Sequence, residues 1–296
     1  MLAPELTKEL QYIEIAASRR IRSLRYGQSR SPIRGSGYEF ETHLRYAVGE
    51  DLRRVDWNVS ARMQELYLKR QFEEKEITVF LVVDVSRSMY FSTAAHSKRI
   101  RVLQVAATLG FSAASDSCNF GFLAFSDRVE AFQLPRKGRG HVWRAIEQLY
   151  NLQPQRRGTN WELALRFLRS HLRRMSIVFL LSDFITDPAM PSLADLPDLK
   201  ILAQKHDVVP VIFGDRIERD LPTGRGLLRF RSAESGKEML LSLSSAQRKR
   251  FDTLVSNRKD DLQNLCYSLG MECLFLQVGE SYMDPLMMLF ERRRKI

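Results

Sequence analysis

Three cysteines among 296 residues are too few to staple this chain, and they are odd in number. Cys118, Cys266 and Cys273 also lack the spacing of a zinc site, so they fit reduced, mostly buried thiols in a cytosolic compartment. Long apolar runs are missing too. No uncharged stretch approaches the roughly 18 residues that cross a bilayer. The first twenty residues carry Glu5, Lys8, Glu9, Glu14, Arg19 and Arg20, which leaves no apolar core for a secretory signal. These absences lead to the expectation of a cytoplasmic protein. There is no Gly-x-x-x-x-Gly-Lys-Ser/Thr loop, so the chain should not hydrolyse nucleotides by itself. Gly35-Ser36-Gly37 and Gly224-Arg225-Gly226 are too short for phosphate fingerprints, and no Gly-x-Ser-x-Gly elbow surrounds a serine. His43, His96, His141, His171 and His206 are scattered without the i, i+4 spacing of a zinc helix. No internal repeat or low-complexity tract occurs. The chain is expected not to be an enzyme.

Positive charge is what the sequence has in excess. Lys and Arg number 46 against 35 Asp and Glu, a formal net charge of +11. The basic residues cluster at Arg19/Arg20/Arg22/Arg25, around Arg136-Lys137-Gly138-Arg139, at Arg156/Arg157 and at Arg292-Arg293-Arg294-Lys295. Such a balance suits nucleic acid, an anionic bilayer or an acidic protein partner. No base-stacking motif, zinc finger or helix-turn-helix accompanies it, and most charge runs are simply solvated faces. An acidic protein partner is therefore preferred, with nucleic-acid or membrane-surface binding as the alternative. A hydrophobic content of 44% is ample for a core.

The pattern along the chain divides it near residue 75. Leu6, Leu10, Ile13, Ala17, Ile21 and Leu24 recur at helical spacing and give an amphipathic N-terminal helix, read first as core packing. Gln28 to Gly37 reads as a loop, and Tyr38 to Lys75 as an irregular extension with short extended pieces such as Leu66 to Arg70. From residue 76 to 296 strands and helices alternate. Ile77 to Val83 is a continuous apolar, β-branched run, the composition of a strand buried on both faces of a parallel sheet. A helix follows over Arg99–Ser115, then a strand over Asn119–Phe125. The short Ser126-Asp127-Arg128 connection to Val129–Leu134 predicts an antiparallel edge strand. Helices at Val142–Tyr150 and Trp161–Arg173 precede a strand from Ile177 to Ser182. Val208–Phe213 is another, placed close to the sheet edge by Pro210. A β-hairpin is inserted near residues 225–243. A long helix from Ser245 to Leu269, a last strand over Glu272–Val278 and a terminal helix opened by Asp284-Pro285 complete the pattern. The fold class expected is α/β, a doubly wound, mostly parallel sheet with one antiparallel edge strand.

Chemistry concentrates where such sheets place their ligands, at the carboxyl ends of the strands. Asp84-Val85-Ser86-Arg87-Ser88 delivers one carboxylate and two hydroxyls, the hard oxygen donors that Mg²⁺ prefers. A plain turn in which Ser86 and Ser88 satisfy backbone groups explains the motif equally well. Thr159 follows Gly158 and precedes a helix, where it also has the spacing of a capping box with Glu162. Asp183 closes the Ile177–Ser182 strand, as a polar strand-end residue does. Adjacent βα units would bring Asp84, Ser86, Ser88, Thr159 and Asp183 together around one Mg²⁺ or Mn²⁺. Asp84 could instead be a phosphoryl-accepting nucleophile. The serines argue against that, since aspartyl-phosphate enzymes place a second acid or a threonine nearby.

The Asp-x-Ser-x-Ser, Gly-Thr-Asn and Ser-Asp segments resemble the metal-ion-dependent adhesion site of von Willebrand factor A domains. A second stretch, Tyr46 to Arg62 with Gly49-Glu50-Asp51, Arg53-Arg54-Val55-Asp56-Trp57 and Ser60-Ala61-Arg62, is similar to the DUF58 family. Two departures stand out. Many relatives carry N-terminal membrane helices that have no counterpart here, and Phe184 follows Asp183 where adhesion domains often have glycine. The resemblance implies a von Willebrand factor A-like domain. It implies direct metal contacts from Ser86, Ser88 and Thr159, with Asp84 and Asp183 in contact or acting through water, and one position left for a partner's carboxylate. The partner it implies is a MoxR-like AAA+ ATPase, or a client protein with an acidic residue, served by this chain as adaptor or co-chaperone. Within the Arg53–Arg62 motif, Trp57 is expected to be a core anchor and the charges to form fixed pairs.

Overall fold

The computed structural model describes residues 4–20, 39–47, 50–72, 76–93, 97–156, 158–185, 190–221, 226–231 and 238–294. Two compact units emerge: Met1–Gly27 with Ile77–Ile296, and Gln28–Glu76. The first helix, α1 (Pro4–Arg20), buries Leu10, Ile13 and Ala17 in the core of the larger unit. A division does fall next to residue 75, between Glu76 and Ile77, but the N-terminal helix groups with the larger unit rather than with the extension, because an amphipathic helix goes where its apolar stripe is covered. Ile21, Leu24 and the loop expected over residues 28–37 lie outside the described residues.

The smaller unit is more regular than its sequence suggests. β1 (Glu39–Arg45) pairs antiparallel with β2 (Tyr67–Phe72), and α2 (Trp57–Met63) lies between them in sequence. Asp51 accepts from Arg53 N at 3.0 Å, and Asp56 caps α2 by accepting from Asn58 N and Val59 N at 3.1 and 3.2 Å. Val55 and Leu68 are buried and form an isolated bridge. The Ser60 hydroxyl accepts from Tyr67 N at 2.8 Å. Trp57 is 65% exposed, which corrects its reading as a core anchor. Asp56 starts a short helix immediately before it, and so small a sheet has little core to bury an indole.

In the larger unit a six-stranded sheet has the order β10-β7-β6-β3-β4-β5. The strands are β3 (Thr78–Asp84), β4 (Asn119–Phe125), β5 (Val129–Arg136), β6 (Ile177–Ser182), β7 (Asp207–Gly214) and β10 (Leu274–Gln277). All neighbours are parallel except β4 and β5, so β5 is the antiparallel edge expected. Alternate side chains of β3 enter opposite cores: Val79, Leu81 and Val83 on one face, Phe80 and Val82 on the other. The first face is covered by α1, α3 (Lys98–Ser115), α4 (Arg139–Asn151) and α9 (Met283–Arg294). The second is covered by α5 (Trp161–His171), α6 (Pro197–Lys205) and residues near the end of α8 (Ser245–Ser268). Gly110 of α3 is required by close approach, since a Cβ there would lie 2.7 Å from Val142 Cγ1 and 3.0 Å from the Phe120 ring.

A short helix, α7 (Arg216–Arg219), follows β7. β8 (Leu227–Arg231) and β9 (Glu238–Ser242) form the inserted hairpin as a separate two-stranded sheet. β7 lies next to the edge strand β10, close to the sheet edge as expected, and Pro210 is tolerated because pairing with β10 begins only at Val211. The last helix starts at Met283, so Asp284 sits in its first turn rather than as its cap, where it accepts from Ser281 Oγ at 2.9 Å. Among the described residues no helix is long and apolar enough to cross a membrane.

Candidate metal centre

The strand order reverses at β3: the chain proceeds to β4 and β5 on one side, then returns to place β6 on the other. A crevice at the carboxyl ends of β3 and β6 follows from that topology, and Asp84 and Asp183 stand on either side of it. Asp84 is 2% exposed. Its Oδ1 accepts from Ser86 N at 2.8 Å and its Oδ2 from Ser182 Oγ at 2.6 Å. Burial, reinforced by the nearby negative charge of Asp183, pushes the Asp84 carboxyl up to about 7. Ser86 and Ser88 are buried, with their hydroxyl oxygens 3.1 Å apart. Thr159 is buried on the β4 side of the same edge, where Asn160 N donates to Ser126 O at 2.9 Å. Asn160, not Thr159, caps α5, accepting from Leu163 N at 3.0 Å. The structure thus brings Asp84, Ser86, Ser88 and Asp183 together at the carboxyl ends of β3 and β6, with Thr159 beyond the end of the neighbouring strand β4.

Asp183 is also buried and heavily engaged. Its Oδ1 accepts from Ile185 N at 2.9 Å, its backbone oxygen from Arg258 at 2.6 Å, and its Oδ2 from Lys98 Nζ at 2.8 Å. Lys98 has no exposed area and reaches Glu218 Oε1 at 2.5 Å as well. Burial pulls the Lys98 ammonium toward neutrality, but attraction to Asp183 and Glu218 outweighs it and the group is held above its ordinary range. Next door, fully buried Asp215 accepts from Ser92 Oγ, Thr93 N, Thr93 Oγ1 and Ile217 N, while Glu218 Oε2 accepts from Asp215 N. Phe184 adopts φ 54°, the left-handed region that favours glycine. Its ring stacks on Trp161 at 4.9 Å and its N–H donates to Ser182 Oγ at 2.8 Å, so the backbone keeps a glycine-like course without glycine.

The donor set suits a hard divalent ion. Among the described residues no group of three or more His, Cys, Asp or Glu is gathered for a metal, so a cation here depends on hydroxyls beside two carboxylates. The 3.1 Å between Ser86 and Ser88 hydroxyls matches the roughly 3.0 Å between adjacent ligands of an octahedron with bonds of about 2.1 Å. Lys98, Ser182, Asp215 and Glu218 escaped sequence reasoning. Only Ser182 carried a signal, as the neighbour of Asp183; the others meet through the packing of α3 and α7 across the strand ends.

The model of the family described as "Protein of unknown function DUF58" matches residues 43–261. The chain belongs to the DUF58 family. That match covers both the Arg53–Arg62 motif and every candidate ligand. The uncharacterized protein Rv1480 of Mycobacterium tuberculosis is 24% identical over 294 residues, 99% of this chain and 91% of that protein. The conserved hypothetical protein BatB of Bacteroides thetaiotaomicron is 14% identical, with 74% of this chain and 100% of that one covered and a TM-score of 0.49. The SpRpn10 VWA domain is 10% identical, with 71% and 93% covered and a TM-score of 0.39. The sheet of this DUF58 chain is doubly wound and mostly parallel with one antiparallel edge strand, the fold class expected from its sequence.

Proposed function

We propose that this chain is a metal-dependent protein-interaction module. Its crevice at the β3 and β6 ends takes Mg²⁺ or Mn²⁺ and, through it, an acidic residue of a partner. The observation that carries this reading is the buried Ser86–Ser88 hydroxyl pair beside Asp84, at the topological switch point of the sheet. Asp84, Ser86, Ser88, Thr159 and Asp183 are the residues that would hold the ion. A bound divalent ion would supply a Lewis-acidic centre whose protein donors are mostly neutral hydroxyls and fewer than its roughly six positions, so that a partner's carboxylate can take one of the rest. The chain's part is to hold the hydroxyls in place, through the Asp84–Ser86 turn, and to keep Asp84 fixed through Ser182. The family resemblance supports a MoxR-like AAA+ ATPase as partner, with this chain as its non-catalytic adaptor or co-chaperone. Excess positive charge would speed encounter with an acidic surface.

Calorimetric titration of Mg²⁺ into the wild type and Asp84→Ala tests the site. Binding is expected in the wild type and is lost in the variant; equal binding in both removes the metal centre from the reading.

A further inference from the structure

We infer that Lys98 is a built-in counter-charge of the metal centre, which holds down the site's own affinity for a divalent cation and leaves a bound one more receptive to an incoming carboxylate. The inference deepens the metal-site reading and rests on it. An ammonium with no exposed area is costly to desolvate and persists only with well-placed partners. Lys98 has two, Asp183 Oδ2 at 2.8 Å and Glu218 Oε1 at 2.5 Å. Neither partner is free to drift. Asp183 is held by Ile185 N and by Arg258 on its backbone oxygen. Glu218 is fixed by the capping box of α7, whose Asp215 is gripped by Ser92 and Thr93. The ammonium is therefore part of a rigid frame one hydrogen bond away from a candidate ligand.

That position sets the charge available to a cation. When both are ionised, Asp84 and Asp183 bring two negative charges, but Lys98, shared between Asp183 and Glu218, offsets part of that of Asp183. A divalent ion at the crevice must share Asp183 with Lys98 and bear its repulsion, and so remains under-neutralised. A carboxylate arriving from a partner relieves both. Lys98 acts through Asp183 and is a positioning residue. It trades cation affinity in the free protein for selectivity toward an anionic third party.

The test is Mn²⁺ binding, followed by the electron paramagnetic resonance signal of the free aqueous ion, in the wild type, Lys98→Met, Glu218→Gln and Asp84→Ala. Lys98→Met should bind about tenfold more tightly, the scale of one nearby charge in partly screened surroundings. Glu218→Gln leaves the ammonium to Asp183 alone and should bind several-fold more weakly. A merely structural role for Lys98 does not produce shifts of opposite sign. Lys98→Met strands two carboxylates and could fail to fold. Glu218→Gln, which keeps the ammonium, then decides alone: weaker binding supports the inference, and unchanged or tighter binding overturns it. Binding that Lys98→Met leaves equal or weakens also overturns it while the metal centre stands. Absence of Mn²⁺ binding in the wild type, or binding indifferent to Asp84→Ala, removes the metal centre itself and this inference with it.

Discussion

His206 shows what single buried groups contribute. It is 3% exposed, and neither ring nitrogen has a hydrogen-bond partner among the described residues. Burial first, then the charge of Lys205, lowers its pKa from 6.5 to about 4. The sign follows from linkage. The unfolded chain binds a proton near pH 6.5 that the folded one refuses until about pH 4, so stability is full above 6.5 and drains away between those values. Asp84, held up at about 7, pulls the other way in both proteins, so the His206 effect is read as a difference: His206→Leu should gain melting temperature relative to the wild type as pH drops from about 7 to 5. Thermal melts across the pH series check this, and an unchanged slope in the variant contradicts it. At the crevice, single residues act differently. Phe184 occupies a backbone conformation suited to glycine because Trp161 supplies a stacking surface, a compensation invisible in the dipeptide Asp183-Phe184.

Elements differ in how much they contribute to stability, and burial predicts which ones matter. α1 lies far from β3 in sequence but packs in the same core, with Leu10 fully buried. Leu10→Ala should cost about 2–5 kcal/mol, the range for emptying a buried leucine site. Trp57, the first residue of α2, is 65% exposed, so Trp57→Ala should change stability by no more than about 0.5 kcal/mol. Urea denaturation of both variants tests the pair. Similar losses would mean that the indole is buried after all. The Arg53–Arg62 motif thus owes its local form to the Asp51 and Asp56 caps and to Ser60, not to its aromatic residue.

At the scale of the whole molecule, a net charge of +11 and the proposed metal site make opposite forecasts for partner binding. A pull-down with a MoxR-like AAA+ ATPase should require the divalent ion and weaken only moderately with salt. A metal–carboxylate bond at a partly desolvated rim resists screening, whereas exposed arginine contacts fade beyond about 8 Å at physiological ionic strength. Binding driven by phosphates would instead fall about 10³-fold or more between roughly 50 and 200 mM salt. Run with a chelator and across that series, one experiment separates the two. Chelator-insensitive binding with a steep salt slope assigns the basic clusters to nucleic acid or membrane and ends the adaptor reading.

Strand identity was legible in the sequence because a strand buried on both faces must be apolar at every position, as Thr78–Asp84 and Ile177–Ser182 nearly are. The hairpin of β8 and β9, the antiparallel β5 and the carboxylates at the strand ends followed from short connections and from residue type, which are local properties. The β1–β2 sheet was not legible: Glu39–Arg45 has no apolar run, and its pairing depends on a strand more than twenty residues away. Thr159 illustrates the limit of spacing, since Thr159 and Asn160 are equally good caps on paper and only the folded turn assigns the role to Asn160. Lys98 is the clearest case. As the first residue of a helix it is indistinguishable from any solvated lysine. Its burial between Asp183 and Glu218, 85 and 120 residues away, exists only once the sheet has brought those segments to one edge. The sequence alone determined which segments became buried strands and which oxygen-bearing side chains stood at their ends. Tertiary structure alone decided which charge faces which, because Coulomb energy depends on separation in space and not along the chain.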